Sequence, residues 1–332
     1  MVQPTPPGGA EPARLRGPKR GTLHHPAFGL VFAGEPGKDV RPPMSPELLE
    51  SLLSAFELML FLAGVFLLFR LLGNPERRHH WLGVTRLPPW PVTVGEFVIF
   101  VFLMFGGGVF FQLLAHFIFK GFLAGVPDRE AADVCVNGAA LGLGGIAGLW
   151  LFGSMREGWP APAGVEPPPA PLPAVARLPW ARVFLFGAAA LVAAWPLVLA
   201  VNLGWVLLLR RLGLPDDPQP MLAIFQNARS PLVIIGLLVV ACGIAPLYEE
   251  LLFRGGLYRF CRQKLGRSWA LALSGCIFGA VHANLASFLP LSLLGVGLAL
   301  SYEATGDIRV PVVAHGLFNL NTVFLLLSGV AQ

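Results

Sequence analysis

Charge is scarce in this chain of 332 residues. Asp, Glu, Lys and Arg together make up 13% of it, against about 25% in a soluble domain. With 55% hydrophobic residues and a mean hydropathy of +0.67, that shortage excludes an ordinary soluble globule. The net charge of +5 is spread through tails and loops, which suits an orientation signal beside a membrane and not a nucleic-acid footprint. No nucleic-acid partner is expected. Cysteine is scarce too. Cys135, Cys242, Cys261 and Cys276 form no CxxC pair and three of them sit in or beside apolar runs, so neither a disulfide framework nor a cysteine zinc site is expected. The first 25 residues lack an apolar core, and no cleavable signal peptide is expected there. An HExxH motif is absent, and no serine or cysteine is evidently paired with a histidine as a nucleophile.

What the chain has in abundance is apolar length. Eight segments stand out, at about 52–72, 93–119, 134–153, 182–209, 231–258, 268–284, 286–301 and 310–330. Most approach the roughly 20 residues a spanning helix needs, although the sixth and seventh are short and are expected to form a tight helical hairpin. Backbone groups in lipid must be satisfied within the segment, so helices are the expected state. The expected fold is all-α, a polytopic membrane helix bundle of about eight transmembrane helices.

The punctuation divides the chain. Residues 1–46 are rich in Pro and Gly with scattered basic residues, Arg14, Arg16, Lys19 and Arg20 among them, and are expected to be a disordered tail. Three membrane helices follow over 47–157. The run GWPAPAGVEPPPAPLPAVARLP begins at Gly158, and 158–180 is expected to be an extended proline-rich linker. Five helices then occupy 181–332. The loops after the first and fifth spans carry Arg70, Arg77, Arg78 and Arg86, and Arg259, Arg262, Lys264 and Arg267. They lie on one side, which the positive-inside rule places in the cytoplasm. The tail and its six basic residues would then lie outside, a conflict that leaves orientation open. No clear internal repeat is present, which disfavours a transporter built of duplicated halves.

Ionisable residues inside spans carry the information. Each costs about 2.5–3.5 kcal/mol at a helix centre and usually faces a bundle interior or a cavity. Glu57, with Glu47 and Glu50, is expected in the first turns of its helix near the interface. His116 near Lys120 is expected at the interface, Asn202 as a helix-bridging amide, and Trp195-Pro196 as a kink. The later spans differ. Glu249, Glu250 and Arg254 are on the fifth, His282 on the sixth, and His315 and Asn319 on the eighth. Any one of these alone reads as a buried polar residue with a partner. Six of them on three helices read as a site.

Spacing sorts them. Glu250 and Arg254 are four apart with the acid first, the favourable order for a salt bridge along a helix. Glu249 points about 100° away and stays free for chemistry. Asn319 follows His315 by four, so its amide can hold one ring nitrogen and select the tautomer. Phe278, four before His282, can wall the same side. Gly255, Gly256, Gly279 and Gly316 stand beside these residues, where they allow close helix approach or a local break. A carboxylate, an activated water and hydrogen-bond donors are sufficient parts for amide hydrolysis.

The three motifs, Glu249-Glu250-Leu-Leu-Phe-Arg254, Phe278-Gly-Ala-Val-His282 and His315-Gly-Leu-Phe-Asn319, resemble the EExxxR, FxxxH and HxxxN pattern of the CAAX-processing and bacteriocin-processing (CPBP, or Abi) membrane proteases. The glycine after Arg254 and the one in Thr305-Gly306 look like features of that family as well. The resemblance covers about 181–332. It implies an eight-helix intramembrane endopeptidase, probed by substrates that are membrane-associated or lipidated peptides, in a bacterial cytoplasmic membrane. By the resemblance Glu249 activates the water, His282 and His315 bind it and stabilise the oxyanion beside Asn319, and Glu250, Arg254 and Phe278 support them. Zinc stays open: Glu249, His282 and His315 are suitable ligand types. The apolar flanks show no carboxylate to hold either histidine's second nitrogen, which favours a metal-free reading. The alternative to a protease is a proton-coupled transporter or membrane scaffold using the same cluster as a relay.

Overall fold

The computed structural model describes residues 46–83, 85–126, 128–157, 159 and 177–328, with backbone alone at 46, 49, 327 and 328. The expected tail and nearly all of the proline-rich linker lie outside the described residues. The chain divides into two units, Met1–Leu49 and Glu50–Gln332; the second holds the features that follow.

No strand occurs among the described residues, and the helices run in the order α1 (Pro46–Leu72), α2 (Pro75–Arg78), α3 (Val94–Leu123), α4 (Arg129–Glu157), α5 (Trp180–Leu212) and α6 (Pro220–Asn227). The span carrying the glutamates is composite: α7 (Pro231–Val239), a π-helical turn (Val240–Ile244), α8 (Ala245–Glu250), a second π stretch (Leu251–Tyr258) and α9 (Arg259–Leu265). Then come α10 (Arg267–Ala280), α11 (Leu285–Thr305) and α12 (Arg309–Ser328). The protein is an integral membrane helix bundle. Large apolar side chains such as Phe117, Leu232 and Phe102 stay exposed on its spans, as a surface that meets lipid requires.

Among the described residues seven spans, the composite one counted once, are long and apolar enough to cross a bilayer, against the about eight expected. The exception is α10. Its 14 residues rise only about 21 Å, short of the roughly 30 Å hydrocarbon layer. It is nonetheless half of the expected hairpin with α11. A Cβ on Gly279 would lie 2.3 Å from Ser292 Oγ, and one on Gly275 2.8 Å from Ser292 O. The starting end of α10 is fastened by charge: buried Glu303 on α11 meets Arg262 at 2.7 Å and Arg267 at 2.6 Å. The Arg86 backbone N–H donates to the Glu303 carbonyl at 2.9 Å.

Close packing explains why α4 is so rich in glycine. Its Gly144 and Gly148 meet the α3 backbone at Gly107 and Leu103, while Gly138, Gly142 and Gly145 meet Val240, Ile244 and Tyr248 of the composite span. Small residues on two faces let α4 lie between α3 and the span that holds the glutamates. At the basic end, the segment from Leu87 to Val92 is pinned as a strap. Arg259 donates to the carbonyls of Pro88 and Pro89, and Arg156 to that of Pro91.

At the other end, Asp128 joins two turns. Its Oδ2 accepts from the backbone N–H of Ser230 at 2.5 Å and of Arg229 at 2.7 Å. These donors hold the carboxyl below the usual aspartate range. A carboxyl with a lowered folded-state pKa contributes stability above its unfolded pKa of about 3.9 and loses it as pH falls through the folded value. Asp128→Asn is therefore expected to lower the melting temperature in detergent by about 2–4 °C at pH 7. The difference from the parent should vanish in the most acidic buffers where both remain folded.

Glu57 departs from expectation. It sits well inside α1, beyond the first turns, and faces Asn321 of α12 and Trp195 of α5. Nearby, a Cβ on Gly64 would lie 2.6 Å from the ring of Pro196, through which α5 runs unbroken. These two features seat α1 against α5 and α12.

Candidate active site

Glu250 is the hub. Both it and Arg254 are fully buried, and Arg254 Nη1 donates to Glu250 Oε1 at 2.8 Å. The second guanidinium arm, Nη2, donates to the Gly295 carbonyl at 2.9 Å. Glycine at 295 admits that arm, because a Cβ there would already stand 3.4 Å from Nη2 and 3.1 Å from the Gly275 backbone. Glu250 Oε1 also meets His315 Nδ1 at 2.9 Å. The guanidinium lies 4.4 Å over the Phe278 ring, a placement that favours a cation in a desolvated site. One ion pair thus links the π stretch, α11 and α12.

Glu249 stands on the other side of His315, with Oε2 at 3.8 Å from Nε2. That separation is longer than a hydrogen bond. The side chain is 24% exposed, in contrast to Glu250 at 0%, so Glu249 is the carboxylate open to the outside, as the spacing implied. His282 reaches the group through Phe278, whose ring lies edge-on to both imidazoles, 5.1 Å from His282 and 5.5 Å from His315. Its Nδ1 meets the Phe278 carbonyl at 2.7 Å. A carbonyl only accepts, so Nδ1 carries the proton and Nε2 is left for another partner.

Two expectations need correction. Asn319 does not hold His315: its amide donates to the Ala241 carbonyl at 2.7 Å, and Glu250 fixes the imidazole instead. Ala241 lies in the π-helical turn, where the wider winding frees carbonyls from the i→i−4 ladder. Nor is His315 without a carboxylate partner, because Glu250 meets its Nδ1, so its surroundings do not speak against a metal on that ground. The ring nitrogens of both histidines are oriented as metal ligands often are, with Nδ1 engaged. The positions do not fit, however. Among the described residues no three His, Cys, Asp or Glu side chains converge as an ion would need.

Three of the four glycines noted in the sequence do permit close approach. A Cβ on Gly256 would strike the Phe100 ring at 2.1 Å, one on Gly279 the Phe288 carbonyl at 2.4 Å, and one on Gly316 the Cys242 carbonyl at 2.4 Å. Gly255 has room, its nearest neighbour being 3.8 Å away. Gly316→Ala is expected to push α12 from the π-helical turn and separate His315 from Glu249. Overpacking of this kind costs about 1–3 kcal/mol. A melting curve should shift down.

Residues missed by sequence reasoning are Gly295 and Ala241. Both act through backbone carbonyls, which no side-chain pattern announces.

Residues 231–321 match the family of Rce1-like proteins, described as type II CAAX prenyl endopeptidases. The "Putative membrane peptidase YdiL" of Bacillus subtilis (strain 168) is 32% identical over 115 residues, 35% of this chain and 45% of that protein. The "UPF0177 protein YbdI" of Lactococcus lactis subsp. lactis (strain IL1403) is 35% identical over 82 residues, 23% of this chain and 41% of that protein. The chain spans less than half the length of these curated relatives. No solved structure matches it.

Proposed function

We propose, from the premise that residues 231–321 belong to the CPBP family of membrane peptidases, that this protein is an intramembrane endopeptidase cutting peptide bonds near the bilayer surface. The observation that carries the reading is His315 held between two carboxylates of unlike exposure. Glu250, sealed and paired with Arg254, fixes the ring; Glu249, partly open, is left to act on a water.

The chemistry follows from those positions. Glu249 takes a proton from water as its oxygen bonds to the substrate carbonyl carbon. His315 can carry a proton on both nitrogens, since each faces a carboxylate, and Nε2 then donates to the developing oxyanion. His282, with its Nδ1 proton committed to the Phe278 carbonyl, offers Nε2 as an acceptor that holds the water. The proton on Glu249 passes to the leaving amine as the C–N bond breaks. Asn319 supports this by fixing the backbone at Ala241, and Phe278 by spacing the two imidazoles. The family match does not favour the transporter reading.

The substrate class is a membrane-associated or lipidated peptide, and the setting a bacterial cytoplasmic membrane. The test is incubation of the purified protein, in detergent, with two peptide libraries, one carrying a prenylated C-terminal cysteine and one unlipidated, with mass spectrometry of the products. Internal cleavage in either is expected. A folded preparation that cuts neither library would reject the endopeptidase reading.

A further inference from the structure

His282 does not stand within a helix. α10 ends at Ala280 and α11 starts at Leu285, so the imidazole is carried by the turn 281–284. On its near side the turn is tied to α10. The Val281 N–H donates to the Ile277 carbonyl at 3.0 Å, the Ala283 N–H to the Ala280 carbonyl at 3.0 Å, and the ring itself meets the Phe278 carbonyl at 2.7 Å. The backbone then takes a left-handed step, with φ at 49° on Ala283. A residue with a side chain holds that conformation at a cost, and only where its surroundings impose it.

Two side chains impose it from the far side. Asn284 Oδ1 accepts from the Ser287 backbone N–H at 2.9 Å, which caps α11, and Nδ2 donates to the Asp217 carbonyl at 3.0 Å. The two contacts fix which way the amide points, since an N–H needs its oxygen and a carbonyl needs its NH2 group. Trp205 of α5 donates from Nε1 to the Leu285 carbonyl at 2.7 Å. Asp217 is in turn placed by stiff chain. α5 stops at Gly213, with φ at 65°, and the Leu214 N–H returns to the Leu209 carbonyl at 2.9 Å. Arg210 Nε then donates to Asp216 Oδ2 at 2.6 Å. Pro215 and Pro218 flank the two aspartates and lock φ on either side of them. α5 therefore reaches the turn twice, through Trp205 and through the loop 213–219.

We propose that Asn284 is a positioning residue: by joining the start of α11 to the loop after α5, it holds the turn so that His282 keeps Nδ1 on the Phe278 carbonyl and Nε2 free. Asn284 exchanges no proton in this role. Its consequence for catalysis rests on the proposed part of His282 in holding the water. The link from Asn284 to the imidazole is testable without any substrate.

The probe is the protein in detergent with 15N in its histidine rings, observed above the ordinary imidazole pKa range, where protonated and bare ring nitrogens give separate signals. Among the seven histidines, His282→Gln and His315→Gln each remove one set and so assign it. Asn284→Ser keeps the cap, because serine accepts at that position as asparagine does, but its hydroxyl is too short to reach Asp217. In that variant the two His282 signals should draw together as the tautomers mix, with the His315 signals and the melting temperature unchanged. Asn284→Ala, which loses the cap as well, should add a lowered melting temperature. Parental His282 signals in Asn284→Ser overturn the inference and leave Asn284 a helix cap. Equal movement of the His315 signals also overturns it, as general loosening of the bundle. With a cleaved peptide in hand, Asn284→Ser should lower kcat about tenfold or more at unchanged KM, and a parental kcat counts against the role. If the parent cuts no peptide, the endopeptidase reading falls and the nitrogen signals still decide this one.

Discussion

On the proposed reading, Glu249→Gln is expected to abolish cleavage, lowering kcat by about 10²–10⁴, the range a positioned general base contributes, while the protein folds and melts as before. The amide has nearly the same shape as the carboxylate and cannot accept the proton from water. Stability should be spared because Glu249 is not part of the buried pair; it approaches His315 at 3.8 Å, beyond hydrogen-bond length. The check is to measure kcat and the melting curve on the same preparation with a peptide found by the library screen. Retained turnover removes Glu249 from the role of base. A collapse of the melting curve instead would mean that Glu249 shares the structural work assigned to Glu250.

Arg254→Met should give the opposite pattern, a loss of fold that takes activity with it. Methionine fills part of the arginine volume, yet it leaves the Glu250 carboxylate and the Gly295 carbonyl buried without their donor. Breaking a buried ion pair from one side costs about 3–5 kcal/mol. A large drop in melting temperature in detergent is expected. Arg254→Lys should recover only part, because one ammonium cannot reproduce the planar fork that reaches Glu250 Oε1 and the Gly295 carbonyl together. The double variant Arg254→Met with Glu250→Gln should melt above Arg254→Met alone, since it removes the stranded charge. Arg254→Met melting like the parent would contradict the role given to this pair.

These two outcomes rest on different kinds of legibility. The pairing of Glu250 with Arg254 was readable in sequence: four-residue spacing joins them and turns Glu249 away, and the structure keeps that arrangement even though the stretch Leu251–Tyr258 is π-helical. The role given to Asn319 was not readable. A four-residue spacing brings an amide near an imidazole but does not say which of two acceptors wins. The carbonyl at Ala241 is freed by a π-helical turn, and nothing in VACGI marks that turn in advance. The sixth apolar segment shows a related effect. Hydropathy over 268–284 shows that the segment is apolar, whereas the length of α10 depends on where Glu303 captures Arg262 and Arg267.

What the sequence by itself determined is the class of the molecule and the polar residues that stand inside its spans. Scarce charge and long apolar runs leave a chain no state but membrane helices, and intramembrane Glu, Arg and His are too costly to be incidental. Which oxygen faces which nitrogen was decided only by tertiary structure. Hydrogen bonds between distant helices depend on angstrom-scale approach, set here by Gly295 and Gly316, and a linear pattern of residue types carries no measure of that approach.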